Sequence, residues 1–262
     1  MLKIGFLGSG KMAQALAKGF ISSVQDNHLL EEFKSLGSKI TNNNEVVAQE
    51  ARVLILAVKP SAVPTVLDSI KNYFTPNHML LSIAMGVPLS HLEKMLGHSP
   101  RVLRAMPNTA AAVSASAGVL CSGTHARAED VALGARLLGA VGTCRLAPES
   151  CFDAVTALSG SGPAYFLAIM EALSDGGVKM GLPRDLATHL AVQTAFGTAK
   201  MALESKENLS SLREAVTSPA GSTAAGLHEL EKGAVRGWLT SAVEAATDRC
   251  RAVTASLNDA KK

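Results

Sequence analysis

The sequence predicts an α/β domain followed by an all-α domain, and three observations carry the prediction. Short β-rich runs alternate with helical stretches as far as about Leu146, a glycine-rich turn closes the first of them, and from Phe152 onward only helix signals continue. With 262 residues, 47% of them hydrophobic, the chain can bury a sizeable core, and a division into residues 1–150 and 151–262 fits the change of pattern.

The first run, "KIGFLG", leads into "GSGKMA" at residues 8–13, between a predicted strand and a helix beginning near Lys11. Gly8 makes the tight turn, Gly10 lets a pyrophosphate approach the backbone, and Ala13 stands where a third glycine would let helix and strand pack closely. A merely structural turn would also use such glycines. Their place on the first strand of an α/β domain favours a dinucleotide site, so the N-terminal domain reads as Rossmann-type. Such a site calls for a second strand whose end reaches the adenosine ribose about twenty residues further on. "QDNHLLEEFKSLGSK" instead places Leu29, Leu30, Phe33 and Leu36 at helical spacing, with Asp26 or Asn27 as a cap and Gly37 as the stop.

"RVLILAV", "MLLSIAM", "RVLRAM", "AGVLCSG" and "GTCRLA" then read as buried parallel strands. "AVKP" sets Lys59 at the carboxyl edge of the sheet, where open α/β folds bind ligands; there it is either a solvated charge or an attractor of an anionic substrate or phosphate. Met85, Pro107 and Asn108 end the next strands at the same edge and join the crevice wall. At the boundary near residues 148–162, "ALSGSGPAY" (157–165) suggests a tight junction between domains. Beyond it Pro163 opens "PAYFLAIMEALSDGG", Pro183 opens "PRDLATHLAVQTAFGTAKMAL", and a last helix begins at Val235.

The net charge of +3 comes without a Lys/Arg run, which points to small anions rather than nucleic acid or a membrane surface. Four cysteines without CxxC spacing read as reduced thiols, neither a metal set nor a disulfide framework. "MLKIGFLGSG" runs straight into a strand pattern and no apolar run approaches membrane-spanning length, so a cytosolic protein is expected.

Residues 216–233, "VTSPAGSTAAGLHELEKG", form a helix opening with Pro219 at its start, Gly221 open to a ligand, and Ser222 and Thr223 adding hydroxyls beside unpaired backbone N–H groups. Simple capping explains such residues, and so does an anion site.

Taken together, "GSGKMA", "NNNEV", "AVKP", "RAMPNT", "LSGSGPAY", "DGGVKMGLPR" and "VTSPAGSTAAGLHELE" resemble, in this order and over almost the whole chain, the pyrroline-5-carboxylate reductases. The resemblance implies a reductase that uses NADPH or NADH to convert 1-pyrroline-5-carboxylate to L-proline, the last step of proline synthesis. It implies a Rossmann domain joined to a helical dimerisation domain, with homodimers that often assemble into larger rings. By the same resemblance Leu7, Gly8, Ser9, Gly10, Lys11 and Met12 would lie along the pyrophosphate and Asn44 near the adenosine. Ala57, Val58, Lys59 and Pro60, with Ile83, Ala84 and Met85, would line the ribose and nicotinamide, and Asn108 would stand close by. Ala220, Gly221, Ser222 and Thr223 would be the substrate loop, offered by the partner subunit, and Glu149 matches an acidic position near the substrate. The carboxylate would meet the N–H groups of residues 221–223 and the Thr223 hydroxyl the imine nitrogen.

The family's second strand and following polar loop, which contact the cofactor's 2′-phosphate, have no counterpart in this sequence, so nucleotide preference does not carry over. A β-hydroxyacid dehydrogenase shares the two-domain layout but needs a general base, usually a lysine on the helix after the junction, and "PAYFLAIMEAL" has none. A scaffold that kept the helical domain and lost cofactor binding is the non-enzymatic alternative. Leu167, Met170, Leu173, Leu190 and Phe196 recur on helices that a domain of about a hundred residues would struggle to bury by itself, so an obligate homodimer is expected.

Overall fold

The structure, a computed structural model, describes residues 3–21 and 39–259. The helix expected around Leu29 to Leu36 lies outside the described residues. Two compact units are formed, Met1–Ser161 with Ala245–Lys262, and Gly162–Glu244.

The first unit is built on a six-stranded sheet in the order β1-β2-β3-β4-β5-β6. The strands are β1 (Ile4–Leu7), β2 (Val53–Leu56), β3 (Met79–Ser82), β4 (Arg101–Met106), β5 (Ser116–Ser122) and β6 (Gly142–Leu146). Every residue of β2 and β3 is buried, whereas β1 alternates between buried and half-buried, in keeping with its single neighbour among the described residues. Adjacent pairs are parallel except β4 and β5, which are antiparallel. That pairing corrects the reading of all six runs as parallel. The link from Pro107 to Ala115, mostly a 3₁₀ turn at Thr109–Val113, is shorter than the roughly dozen residues a parallel crossover requires.

Helices α1 (Lys11–Ile21), α2 (Asn44–Glu50), α3 (Val63–Ile70), α4 (Leu89–Leu96) and α5 (Ala128–Gly139) cover the two faces. On one face Leu67, Ile70, Leu92 and Leu96 pack with Leu54, Leu80 and Val102; on the other Leu16, Leu137 and Leu138 pack with Ile55, Leu81 and Leu103. Each of these side chains contributes about 1.5–3 kcal/mol by leaving water.

After β6 the chain turns through α6 (Phe152–Val155) and a π turn at Thr156–Gly160. Phe152 is fully buried in the first unit's core, beside Leu7, Leu56 and Val102. The junction therefore falls at Ser161–Gly162 rather than at residue 150, and Ala245–Lys262 returns to the first unit.

The second unit holds α7 (Gly162–Lys179), α8 (Arg184–Glu204), α9 (Leu209–Ala215), α10 (Ser222–Lys232) and the first part of α11 (Val235–Asp259), as far as Glu244. Gly177 brings α7 close to Ala187 of α8, and Arg184 donates to Ser174 at 3.0 Å and Asp175 at 2.6 Å. Little else is covered. Phe166 and Trp238 are 64% and 72% exposed, and Leu167, Leu173, Leu190 and Phe196 are exposed too, so among the described residues this unit has uncovered apolar faces. Among the described residues no helix is long and apolar enough to cross a membrane.

Candidate active site

Register aligns the carboxyl ends of the first strands, with Leu7 opposite Leu56 and Leu56 opposite Ser82. The Ala57 N–H donates to the Leu7 carbonyl at 2.9 Å and the Ile83 N–H to that of Leu56 at 3.0 Å, so the loops that follow leave the sheet at one level. This edge collects residues 7–12, 57–60 and 83–85. The α2–β2 link is so short that Asn44, at the start of α2, stands toward the same edge.

The glycine turn fits a dinucleotide. Gly8 has φ +109, and a Cβ there would come 2.8 Å from the Ala57 carbonyl oxygen, which makes glycine obligatory for the turn. Among the described residues a Cβ on Gly10 would meet nothing within 4 Å, so they leave the space over the start of α1 open to a ligand. Gln14, which sequence reasoning missed, donates its side-chain amide to the Ser9 carbonyl at 2.9 Å and is itself buried. A polar residue one helical turn beyond Gly10 was the only signal for it.

Lys59 is exposed and precedes the 3₁₀ turn Pro60–Ala62; among the described residues its ammonium meets no acceptor. Asn44 donates to Ser69 Oγ at 3.2 Å, which ties α2 to α3. Asn108 is buried, its amide donating to the carbonyl and hydroxyl of Ser159 at 3.2 and 3.3 Å while its Oδ1 accepts from Ala110 N–H at 3.2 Å. It thus clamps the loop after β4 to the π turn.

Glu149 differs from the expectation of a substrate contact. Its Oε1 accepts from the Leu89 N–H at 2.7 Å and from Arg104 Nη1 at 2.8 Å, so this carboxylate is held by the chain's own donors. Arg104, a charge inside "RVLRAM" that sequence reasoning left without a role, is 5% exposed and lies 4.7 Å from the centroid of Phe152. Burial pushes the neighbouring Cys121 thiol up to about 12; the Glu149 carboxylate adds to the rise and Arg104 opposes it. An open groove of about 630 Å³ lies beside the pair, at the end of β5. Its second carboxylate, Glu93, accepts from the N–H and hydroxyl of Thr124.

The remaining predicted residues lie in the helical unit. Helix α10 begins at Ser222, later than Pro219, with Gly221 as its N-cap and no side-chain cap. The Gly221 N–H donates to the Ser218 carbonyl at 3.1 Å, which corrects its assignment as a carboxylate donor. Ala220 takes φ +57 to make this turn. Ser222 and Thr223 are exposed, no hydroxyl of theirs caps the helix, and their N–H groups belong to the first turn, which has no intrahelical acceptors.

Residues 149–253 match the family described as pyrroline-5-carboxylate reductase dimerisation, and residues 3–86 match NADP oxidoreductase, coenzyme F420-dependent. Pyrroline-5-carboxylate reductase of Arabidopsis thaliana is 44% identical, over 97% of this chain and 96% of its own. The chain belongs to the pyrroline-5-carboxylate reductase family. A Rattus norvegicus member, pyrroline-5-carboxylate reductase 3, is 42% identical over 95% of this chain and 94% of its own. Among solved members, the Plasmodium falciparum pyrroline carboxylate reductase with NADP bound superposes with a TM-score of 0.86 at 31% identity, covering 97% of this chain and 98% of that one. The Coxiella burnetii pyrroline-5-carboxylate reductase gives a TM-score of 0.87 at 33% identity, over 96% and 98% of the two chains. The pyrroline-5-carboxylate reductase likeness therefore embraces both units.

Proposed function

We propose that this chain reduces 1-pyrroline-5-carboxylate to L-proline, with NADPH or NADH as the reductant. The observation that carries the reading within the site is the start of α10, where an exposed hydroxyl and first-turn N–H groups have no side-chain cap among the described residues. The full-length identity to pyrroline-5-carboxylate reductases supports it. The N–H groups of Ser222 and Thr223, at the positive end of α10, suit the substrate carboxylate. The Thr223 hydroxyl hydrogen-bonds the ring nitrogen and orients the C=N bond.

Bound NAD(P)H supplies a hydride. Its addition to C5 of the protonated imine would turn the C=N π pair into the nitrogen lone pair of the product amine, giving proline and the oxidised dinucleotide. Residues 7–12 hold the pyrophosphate, residues 57–60 and 83–85 the ribose and nicotinamide, and Asn108 keeps the neighbouring loop in place. Lys59, a cation at the crevice without an acceptor among the described residues, attracts the anionic reactants. No strong base is required, so positioning supplies much of the rate.

The apolar faces of the helical unit and its match to a dimerisation family support a homodimer, in which the partner subunit offers its α10 loop. Sedimentation is expected to give a dimer or a multiple of it at micromolar protein; a well-folded, active monomer would contradict this. The function itself is tested by titrating NADPH into protein of verified mass, then adding 1-pyrroline-5-carboxylate and following cofactor oxidation. Saturable binding followed by turnover is expected. Failure to bind either dinucleotide would leave the chain a non-catalytic scaffold.

A further inference from the structure

We propose that Glu149 is a positioning residue for the loop of residues 83–88 and acts through the backbone of Leu89. The proposal rests on the reading above that residues 83–85 line the nicotinamide. This loop leaves β3 at the crevice edge and enters α4. Its first end is pinned by the Ile83 N–H on the Leu56 carbonyl and by the Ala84 N–H on Ser82 Oγ at 3.3 Å. In its middle Gly86 takes φ +71, and a Cβ there would lie 3.4 Å from Val253.

At the far end the loop cannot cap its own helix. The N-cap residue of α4 is Pro88, which has no side-chain hydrogen-bonding group, and Leu89 carries the first orphan N–H of the helix. The acceptor that meets it is the Glu149 carboxylate, 60 residues along the chain. A carboxylate at this place is favoured by the helix dipole as well as by the hydrogen bond.

Arg104 decides where that carboxylate sits. Its side chain is 7% exposed, its guanidinium donates to the same Oε1, and it stacks on Phe152, whose ring is fixed in the core. A buried guanidinium needs a counter-charge, so the pair keeps Glu149 from swinging away into solvent. Strand β4, the turn that follows Pro148 and the start of α4 are thereby joined at one oxygen atom. The chemistry at this point is structural support of the hydride donor's surroundings; Glu149 itself need not touch the substrate.

The test uses the whole chain and two readouts. In cofactor-free protein, hydrogen exchange of residues 83–90 is compared with exchange in β2 and β3. In the loaded enzyme, the primary isotope effect on kcat is measured with NADPH deuterated at the transferred position. The double variant Glu149→Met with Arg104→Met removes the pair without leaving a lone buried charge, and replacements of this kind commonly fold. It is expected to exchange about tenfold faster in residues 83–90 only, the weight of one charge-assisted hydrogen bond, and to show a larger isotope effect as hydride transfer becomes limiting. Glu149→Gln combined with Arg104→Met keeps an oxygen for the Leu89 N–H without stranding the guanidinium, and should restore loop protection to within about threefold of the parent.

Should the double variant not fold, Glu149→Asp keeps the counter-charge while drawing the carboxylate back, and it should loosen the same residues about threefold. Exchange in residues 83–90 unchanged in the folded double variant, or in Glu149→Asp where that variant is the one used, overturns the proposal. So does an enzyme with Glu149→Gln and Arg104→Met whose pyrroline KM rises more than about tenfold with the loop still protected, because that pattern marks a substrate contact. Absence of hydride transfer in the parent chain would refute the proposed function instead, and the exchange comparison would still decide the role of Glu149.

Discussion

Thr223→Ala is expected to lower kcat by about 10- to 100-fold, the weight of one hydrogen bond made best in the transition state. The substitution leaves the N–H groups of Ser222 and Thr223 in place, so the carboxylate keeps its donors and KM should change little. Helix α10 should survive, because Gly221 is its N-cap and no Thr223 side-chain bond closes the turn. Alanine is also the better helix former. Steady-state kinetics together with a thermal melt separate the outcomes. A lost melting transition with no specific kinetic defect would make Thr223 a structural residue and remove the imine contact from the mechanism.

Gly10→Val is expected to weaken NADPH binding by about 100-fold or more while leaving the fold intact. Among the described residues no atom lies within 4 Å of a Cβ on Gly10, so a side chain there meets none of them but occupies the place proposed for the pyrophosphate. Gly8→Val makes the contrasting control. With φ at +109 and a Cβ 2.8 Å from the Ala57 carbonyl oxygen, it should destabilise the protein itself. Fluorescence titration with NADPH and thermal melting read the two variants independently. Unchanged NADPH affinity in Gly10→Val would move the dinucleotide away from this turn.

The glycine turn and the helix near residue 222 were legible in the sequence because glycine spacing and helix-start chemistry are local signals. The six strands were legible for a similar reason: apolar runs such as "RVLILAV" and "MLLSIAM" carry their own burial pattern. The direction of β5 was not, because an extended run looks the same whichever way its neighbour points; only the short link from Pro107 to Ala115 constrains it.

Longer-range features were less visible. Glu149 was noticed as an acidic residue near the junction, but its partners are Leu89 and Arg104, 60 and 45 residues away, and no spacing rule connects them. The same holds for the clamp of Asn108 on Ser159, 51 residues apart. The junction itself was placed early because helix signals begin at Phe152, although that side chain belongs to the first core. Gln14 shows a further limit: its role depends on the Ser9 carbonyl pointing at it, which is a property of the folded turn.

The central claim is that this chain delivers a hydride from a nicotinamide to C5 of the cyclic imine. Incubating the protein with 1-pyrroline-5-carboxylate and NADPH deuterated at the transferred position, then analysing proline by mass spectrometry and NMR, tests that step directly. Proline carrying one deuterium, at C5, formed in equal amount to the oxidised cofactor is the predicted result. Cofactor oxidation without labelled proline, or proline without deuterium, would contradict it.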